Sequence, residues 1–367
     1  MAQKTTVCVL FGGQSSEHEV SRVSATSVIK NLNQEKYDIV TIGITKAGEW
    51  LMYQGPVEKI ATGEWENGHT CRAVIAPDAT IGGIIRFQND DLDHSSACTS
   101  ARIDVVFPVL HGLYGEDGTI QGLLELAKIP YVGPGVLGSS LAMDKIYAKM
   151  VFKYAQIPQA DWEVVFSGEL DKMDQVVERV EKKFTYPCFI KPSNAGSSVG
   201  VSKAHTRKDL EAALELAAKH DRKILIEEFI NGREIECSVL GNPYSKLQDV
   251  AASVLGEIVP AKEFYDYDAK YNDNNSILNI PAHLPEETAK KIQELAVAAY
   301  KALDCSGLSR ADFFVHKETG EIFINEINTI PGFTSISMYP KLWEASGLKY
   351  SELLDRLIQL ALERKGA

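Results

Sequence analysis

The sequence predicts a three-domain protein of α/β and α+β class, with an N-terminal open parallel sheet, a central α+β domain and a C-terminal α+β domain. Three observations lead to this class. The 367 residues are enough for two or three domains. Apolar strand-like runs alternate with amphipathic helical runs along most of the chain. Turns that contain Gly or Asn separate these runs.

The first elements predict a βαβ unit. Residues 5–13, "TTVCVLFGG", are a candidate buried strand, a helical pattern runs from about 17 to 32, and "YDIVTIGIT" is the next strand. After a less regular stretch at 52–100 come the strand "IDVVFPVL", a helix near 119–127 and "YVG". These elements place the first domain at residues 1–136.

The rest of the chain predicts two α+β domains, at 137–225 and 226–367. In the central one, "GSSLAMDKIYAKMVFKYA" has apolar positions three and four residues apart and predicts one helix, after which strands and helices alternate. The last domain opens with the strands "REIECSVLG" and "DVAASVLGEIVP" and the polar aromatic loop "KEFYDYDAKYNDNNS". A helix, a hairpin at 308–327 and two more helices complete it.

Composition limits the classes of function. The net charge of -12 argues against general nucleic-acid binding, although a few lysines in a cleft can still bind phosphate. Six scattered cysteines without a C-x-x-C pair are typical of reduced thiols in a cytosolic protein. No signal-peptide pattern and no run of about 18 apolar residues is found. We therefore expect a cytoplasmic protein that binds neither nucleic acid nor membrane.

Two glycine-rich stretches have competing interpretations. "GPGVLG", residues 133–138, matches the G-x-G-x-x-G pattern of a nicotinamide-dependent oxidoreductase, but it lies outside the first βαβ unit and lacks the acidic residue that should follow, which favours an interdomain turn. "PSNAGSS", residues 192–198, lacks the G-K-[ST] of a Walker A loop, and its flanks read as two strands. It is either an idle β-turn or a hairpin tip whose backbone N–H groups close over an anionic ligand.

The hairpin "GLSRADFFVHKETGEIFINEINTIPG" predicts a metal site. If Lys317 faces Glu321, then Asp312 faces Glu326 and Arg310 faces Asn328. Paired carboxylates repel each other unless a cation lies between them. Oxygen ligands of this kind suit Mg²⁺, with nucleotide phosphates completing its coordination. The alternative is a solvated charged face, and an error of one residue in the register would remove the site.

Three further segments each have a functional and a structural interpretation. "ILIEEFINGREIE" could offer an apolar wall to adenine and Glu234 to ribose, or it could be a hairpin with exposed acids. "GGQSSEHEVS" follows a strand end, where open sheets bind ligands, but Glu17 could simply cap the next helix. "HGLYGEDG" makes His111 either a binding-site group or a turn residue.

Taken together, the motifs resemble those of the D-alanine–D-alanine ligases of the ATP-grasp superfamily, over essentially the whole chain. In order they are "FGGQSSEHEVS", "LHGLYGEDG", "AMDK", "IKPSNAGSSVGVS", "IEEFINGREIE", "FYDYDAKY", "SRADFF" and "NEINTIPGFTSISMYP". The resemblance implies an ATP-grasp fold in which ATP lies between the central and C-terminal domains. It also implies a cytoplasmic homodimer that makes D-alanyl-D-alanine for peptidoglycan.

The resemblance assigns roles to particular residues. Those expected to contact ATP are Lys145, Lys191, Ser198, Glu227, Phe229, Ile230, Glu234 and Phe264. Those expected to hold two Mg²⁺ ions, or Mn²⁺ in their place, are Asp312, Glu326 and Asn328. Those expected to contact the D-alanine substrates are His111, Gly332, Ser337 and Met338. The catalytic group is expected to be Glu17, Ser197, Lys270, Tyr271 and Arg310.

The implied chemistry is phosphoryl transfer from ATP to the first D-alanine, followed by attack of the second D-alanine's amine on the acyl phosphate. Arg310 would stabilise the oxyanion and Lys270 the transferring phosphate. Because water destroys an acyl phosphate, "FYDYDAKY" and the Ser197–Ser198 loop are expected to form a lid. Tyr271 favours the dipeptide product, and D-lactate or D-serine as the second substrate is the alternative.

Overall fold

The computed structural model describes residues 4–87, 98–197, 199–243, 245, 249–259 and 277–366. These residues form three β-sheets of seven, four and five strands. Among them, no helix combines the length and the apolar character needed to cross a membrane. The three sheets agree with the three-part arrangement that the sequence predicts, with differences in each part.

The N-terminal sheet has seven strands. They are β1 Thr5–Gly12, β2 Tyr37–Ile44, β3 Trp50–Tyr53, β4 Thr70–Ile75, β5 Gly83–Phe87, β6 Cys98–Arg102 and β7 Val105–Pro108. Their order across the sheet is β6-β5-β4-β3-β2-β1-β7. The helices of this part are α1 His18–Asn31, α2 Glu58–Thr62 and α3 Thr119–Ala127.

This sheet is mixed rather than parallel throughout, which corrects the prediction. β1 is parallel to both β2 and β7, as the βαβ pattern requires. From β2 outward each neighbouring pair is antiparallel, through β3, β4, β5 and β6. A short turn near Gly48 joins β2 to β3, and a connection of that length permits only antiparallel pairing. The described residues of the stretch at 52–100 therefore extend the sheet.

The central sheet has four strands, all antiparallel. They are β8 Trp162–Phe166, β9 Cys188–Pro192, β10 Ser202–Ala204 and β11 Lys223–Glu228, in the order β10-β9-β11-β8. Helices α6 Met173–Lys183 and α7 Arg207–Ala218 contribute to a shared core with these strands. The pairing of β9 with β10 confirms that "PSNAGSS" connects two strands of a hairpin.

The single helix predicted from "GSSLAMDKIYAKMVFKYA" is wrong, because the segment forms two helices. These are α4 Val136–Met143 and α5 Lys145–Tyr154, separated by Asp144 in an extended conformation. The Asp144 carboxylate accepts a hydrogen bond from the Tyr147 backbone N–H at 3.3 Å and so caps α5. The break changes the direction in which α5 presents its lysines.

The C-terminal sheet has five antiparallel strands. They are β12 Gly232–Gly241, β13 Ala251–Val259, β14 Ile277–Asn279, β15 Gly307–His316 and β16 Ile322–Asn328, in the order β14-β13-β12-β15-β16. The helices are α8 Glu286–Ala302, α9 Met338–Ala345 and α10 Tyr350–Gly366. Alternate side chains such as Ile235, Ala311 and Phe313 enter a core with α8, which leaves the polar residues of β12, β15 and β16 on the opposite face.

The division at 1–136, 137–225 and 226–367 stays a prediction. The boundary expected between residues 225 and 226 lies within β11, a strand of the central sheet. β11 and β12 belong to different sheets, so "ILIEEFINGREIE" is a crossing between sheets rather than the hairpin of the alternative interpretation.

Candidate functional site

One face of the C-terminal sheet carries a row of carboxylates on three neighbouring strands. Glu236 on β12 is paired with Asp312 on β15, and Asp312 is paired with Glu326 on β16. Directly paired residues of an antiparallel sheet point to the same face, so the three carboxylates lie side by side. Such a row needs positive charge near it.

Arg310 supplies that charge. Its Nε and NH2 groups donate to the two carboxylate oxygens of Asp312, each at 2.7 Å, and Nε lies 3.0 Å from Glu236 Oε2. Burial opposes the charged guanidinium, but Asp312 and Glu236 outweigh it and raise the pKa of Arg310 well above its ordinary value. Asn328 Nδ2 donates to Asp312 Oδ2 at 2.9 Å. Arg310 is therefore fixed in place and permanently charged.

The predicted register is confirmed at the site but not at the turn. Asp312 faces Glu326, as predicted. Near the turn, however, the His316 N–H donates to Glu321 O at 2.8 Å, so the assumed pairing of Lys317 with Glu321 is wrong by one residue. Without compensation, this error would turn the carboxylates of the two strands to opposite faces.

A β-bulge on β16 compensates for the error. Phe313 pairs with Ile324, whereas the preceding Asp312 pairs with Glu326, so Asn325 is the extra residue. Asn325 and Glu326 are consecutive on the bulged strand, and each contacts a lysine of the central part of the chain. The bulge thus brings Glu326 into the carboxylate row.

Those two lysines are Lys145 and Lys191. Lys145 Nζ donates to Ala195 O at 2.8 Å and lies 3.8 Å from Glu326 Oε2. Lys191 Nζ donates to Asn325 Oδ1 at 3.4 Å. Lys145 begins α5 and Lys191 lies on β9, so two elements of the central part direct ammonium groups at the polar face of the C-terminal sheet. This arrangement suits an anionic ligand between the two.

A third lysine, Lys149, joins Lys191 at a shared carboxylate. Glu227 on β11 is buried, and its two oxygens lie 2.5 Å from Lys149 Nζ and 2.5 Å from Lys191 Nζ. Burial alone would raise the pKa of Glu227, but the two ammonium groups lower it to about 2. Burial would likewise lower the pKa of Lys191, and Glu227 raises it instead. Glu227 and Lys191 are therefore both charged at neutral pH.

An aromatic surface adjoins this cluster. Phe229 is 38% exposed, and its ring centroid lies 6.2 Å from that of Phe189. Lys203 Nζ lies 4.1 Å above the Phe229 ring. Ile230 and Glu234 are partly buried nearby in the chain. A flat apolar surface beside a carboxylate suits a purine base and its sugar.

The N-terminal part contributes Glu17 to the site. It lies at the start of α1, after the end of β1, and is 7% exposed. A Cβ added at Gly112 would lie 2.7 Å from Glu17 Oε2, and one at Gly196 would lie 2.8 Å from it. Gly196 belongs to the loop between β9 and β10, and the next residue, Ser197, has a φ of 47°. The loop of the central part therefore reaches the Glu17 carboxylate.

His111 holds a loop that follows β16. Its Nδ1 donates to Ile330 O at 2.9 Å, and its Nε2 accepts from Ser24 Oγ at 3.1 Å. Ser24 Oγ in turn accepts from the Phe333 N–H at 3.2 Å. Burial lowers the pKa of His111, in agreement with this neutral ring. Both ring nitrogens therefore have partners within the chain.

Glu116 holds the same loop from a second side. Its carboxylate accepts from the Gly112 N–H at 2.8 Å and from the Ile330 N–H at 2.9 Å. Burial and the neighbouring charge of Glu17 raise the pKa of Glu116 to about 8. Both the N–H and the C=O of Ile330 are therefore bound by N-terminal residues.

The residues predicted to contact the second D-alanine lie farther along this loop. Ser337 Oγ accepts from the Thr334 N–H at 3.0 Å, and a Cβ added at Gly332 would lie 2.7 Å from that oxygen. Met338 is 5% exposed and packs in a small cluster with Leu342. Gly332 and Ser337 are thus close together, whereas Met338 is a core residue.

Some predicted residues lie outside the described ranges, and some contributors were not predicted. The predicted residues outside the described ranges are Ser198, Phe264, Lys270 and Tyr271. The site residues that the sequence analysis did not predict are Lys149, Glu236, Glu116 and Asn325. Two of these carried a signal: Lys149 is one helical turn after Lys145, and Glu236 shares a strand face with Glu234. Over the described ranges, no three His, Cys, Asp or Glu side chains are grouped so that they could hold a metal ion.

Two family models match the chain. The model described as "D-ala D-ala ligase N-terminus" matches residues 6–134, and the one described as "D-ala D-ala ligase C-terminus" matches residues 151–359. A curated relative from Acetivibrio thermocellus, named D-alanine--D-alanine ligase, is 58% identical over 99% of this chain and 97% of its own length. A relative of the same name from Clostridium acetobutylicum is 54% identical over 99% of this chain and 100% of its own length.

Solved structures are similar over the whole chain. The VanG D-Ala:D-Ser ligase from Enterococcus faecalis has a TM-score of 0.86 and 41% identity, covering 98% of this chain and 100% of that one. The D-alanine-D-alanine ligase from Coxiella burnetii has a TM-score of 0.83 and 36% identity, covering 100% of this chain and 96% of that one.

Proposed function

The chain belongs to the D-alanine–D-alanine ligase family, and on this premise we propose that it joins two D-alanine molecules into D-alanyl-D-alanine while ATP is converted to ADP and phosphate. The observation that carries this function is the match of two D-alanine–D-alanine ligase family models to the chain. Curated relatives of that name, which are more than 50% identical in sequence, support it. The product is a precursor of peptidoglycan.

We place ATP between the central and C-terminal sheets. Lys145 and Lys191 supply positive charge for its phosphates, which is supported by their positions opposite Glu326 and Asn325. The partly exposed Phe229 ring offers a surface for adenine. Phosphoryl transfer depends on the positioning of charge more than on covalent chemistry by the protein, so fixed lysines are the groups the reaction needs.

The donor set on the C-terminal sheet fits Mg²⁺. Asp312, Glu326 and Asn328 are oxygen-bearing side chains on paired positions of β15 and β16, and Mg²⁺ prefers such ligands together with nucleotide phosphates. When bound, Mg²⁺ or Mn²⁺ would polarise the phosphoryl oxygens. Asp312 is engaged by Arg310 and Asn328, so a metal ion would have to share or replace these contacts.

We propose that Glu17 binds the ammonium group of the first D-alanine. Its buried carboxylate lies close to the Gly196 loop, so the same loop can exclude water from the acyl phosphate. Arg310 is a charged donor for the oxyanion that forms when the second amine attacks. Lys270 and Tyr271 keep their predicted roles on the transferring phosphate and the lid.

Incubation with D-alanine, ATP and Mg²⁺ tests the function. We expect release of phosphate that depends on D-alanine, with D-alanyl-D-alanine identified by mass. L-alanine in place of D-alanine is the matched control and should release none. Phosphate release that does not respond to D-alanine would contradict the proposal.

The alternative second substrate is D-serine or D-lactate. The similarity to the D-Ala:D-Ser ligase structure motivates this test, whereas the curated relatives at 49–58% identity are named D-alanine--D-alanine ligases. Competition of D-alanine with D-serine and D-lactate, with products identified by mass, separates the two specificities. We expect the dipeptide of D-alanine to dominate.

We further propose a cytoplasmic location and a homodimer, as the family resemblance implies. The cysteines at positions 8, 71, 188, 237 and 305 are free thiols, which supports a reducing compartment. Sedimentation analysis of the purified protein tests the dimer.

A further inference from the structure

Lys149 is a buried lysine that lies outside the family motifs of the sequence. It lies on α5, four residues after Lys145, and is 2% exposed. Its Nζ lies 2.5 Å from Glu227 Oε1 and makes no further hydrogen bond with the described residues. A buried ammonium group is costly, and an apolar side chain would fill the same space at lower cost. Among the described residues, Glu227 is the only ionic partner that offsets this cost.

Glu227 is shared between two lysines that differ in surroundings. Lys149 is enclosed, whereas the Lys191 side chain is 16% exposed and also donates to Asn325 on the polar face of the C-terminal sheet. Of the two, Lys191 is thus the one that a nucleotide phosphate can reach. When its ammonium turns toward a phosphate, the contact with Glu227 weakens.

Removal of one partner of a buried ion pair leaves the other charge uncompensated. Without Lys149, Glu227 would depend on Lys191 alone and would hold it back from the phosphate. With Lys149 in place, Glu227 keeps a cation on its other oxygen throughout. We propose that Lys149 is a positioning residue that keeps Glu227 neutralised and oriented, so that Lys191 is free to bind the nucleotide. This inference rests on the nucleotide site proposed above.

A double-mutant cycle on ATP affinity tests the role. Titration calorimetry with ATP and Mg²⁺, without D-alanine, measures Kd for the wild type, Lys149→Met, Glu227→Gln and the double variant. Lys149→Met should weaken ATP binding by about tenfold or more, because Glu227 then restrains Lys191. In the Glu227→Gln background, where no carboxylate charge holds Lys191 back, the same change should cost less than about threefold.

Lys153→Met is the matched control, since Lys153 is exposed on the same helix, and it should leave Kd unchanged. Equal costs of Lys149→Met in the two backgrounds would mean that Lys149 only fills space, and would overturn the inference. If Lys149→Met alone does not fold, the double variant is compared with Glu227→Gln. Equal Kd values support the inference, and a further loss of about tenfold overturns it.

Lys191→Ala separates this inference from the proposed site. Unchanged ATP affinity in Lys191→Ala would contradict the nucleotide site itself. Weakened affinity in Lys191→Ala, together with equal costs of Lys149→Met in both backgrounds, would contradict only the role of Lys149.

Discussion

At the scale of single residues, the cations of the site are paired with carboxylates within the chain. Arg310 lies between Asp312 and Glu236, and Lys191 shares Glu227 with Lys149. The pairings favour the charged forms of Arg310, Lys191 and Glu227, whereas burial alone would favour the neutral forms. A charged ligand that binds here replaces existing ionic partners, and the side chains do not have to change their protonation states.

Glu227 should make the stability of the protein depend on acid pH. Its pKa is about 2 in the folded protein against an ordinary 4.5, so the group contributes stability above pH 4.5 that is lost as pH falls toward 2. The contribution is of order 3 kcal/mol. Urea unfolding at pH 3 to 6 should show that the wild type loses its advantage over Glu227→Gln as pH falls.

Glu178→Gln, at an exposed position on α6, is the control for this measurement and should run parallel to the wild type. A constant difference between the wild type and Glu227→Gln over the same pH range would show that Glu227 is not held ionised by the lysines.

At the scale of elements, the hairpin of β15 and β16 depends on one inserted residue. The turn sets a pairing one position away from the prediction, and the bulge at Asn325 corrects it before Glu326. Bulges recur next to active sites because they re-aim side chains without disturbing the rest of the strand. Here the core residues Phe313 and Ile324 remain paired on the other face.

Glu326→Gln tests the hairpin. The amide keeps the shape of the side chain but removes its negative charge, so Mg²⁺-dependent turnover should fall about a hundredfold or more. Turnover is measured by phosphate release over a range of Mg²⁺ concentrations. Glu321→Gln, exposed at the turn of the same hairpin, should behave as the wild type. Near-normal activity of Glu326→Gln would refute the metal role.

The loop between β9 and β10 is the second functional element. Gly196→Ala would place a Cβ 2.8 Å from Glu17 Oε2 and displace the carboxylate. We expect the KM for the first D-alanine to rise about tenfold while ATP affinity stays unchanged, since a charged hydrogen-bond partner of the ammonium is moved. Steady-state kinetics and ATP titration measure the two quantities.

Gly168→Ala is the control for the loop, because a Cβ there meets no atom within 4 Å. A Gly196→Ala enzyme with the wild-type KM for D-alanine would show that this loop does not approach Glu17 during turnover.

At the scale of the whole molecule, the N-terminal and C-terminal parts share a core. Phe107 on β7 packs edge-to-face on Phe333 with centroids 5.8 Å apart. The same hydrophobic cluster contains Val9 of β1 and Leu357 of α10. Together with the contacts of His111 and Glu116 to Ile330, this core keeps the Glu17 region at a fixed distance from the C-terminal sheet. The loop at Gly196 instead connects β9 and β10, whose residues Ile190 and Ala204 pack in a separate central core.

Arg364 on α10 ties these parts together at the "GPGVLG" turn. Its guanidinium donates to Gly133 O at 2.6 Å, to Ser306 Oγ at 2.7 Å and to Tyr131 O at 3.3 Å, and lies 4.1 Å from the centre of the Tyr131 ring. Arg364→Ala should cost about 1–3 kcal/mol and lower Tm. Calorimetry measures the change, and Gln359→Ala, exposed on the same helix, should have no effect. An unchanged Tm in Arg364→Ala would show that the contact does not stabilise the turn.

The sequence was sufficient to predict the three-part α/β and α+β organisation, the hairpin at "PSNAGSS" and the pairing of β15 with β16. These follow from periodicities of two or about 3.6 residues and from turn residues, which act over short stretches of chain. The family motifs could be recognised in the sequence for the same reason. The sequence analysis missed the break at Asp144 because a capping carboxylate within an apolar helical pattern does not alter the spacing of the apolar residues.

The contacts between side chains and distant segments of the chain depend on the tertiary structure. Glu227 with Lys149, Glu17 with Gly196, and Glu116 with Ile330 each join segments that no local pattern relates. The antiparallel extension of the first sheet and the bulge at Asn325 belong to the same class. Such contacts depend on how sheets and helices pack, and a shift of one residue in a strand or a helix break changes them, so they become visible only when the elements are placed together.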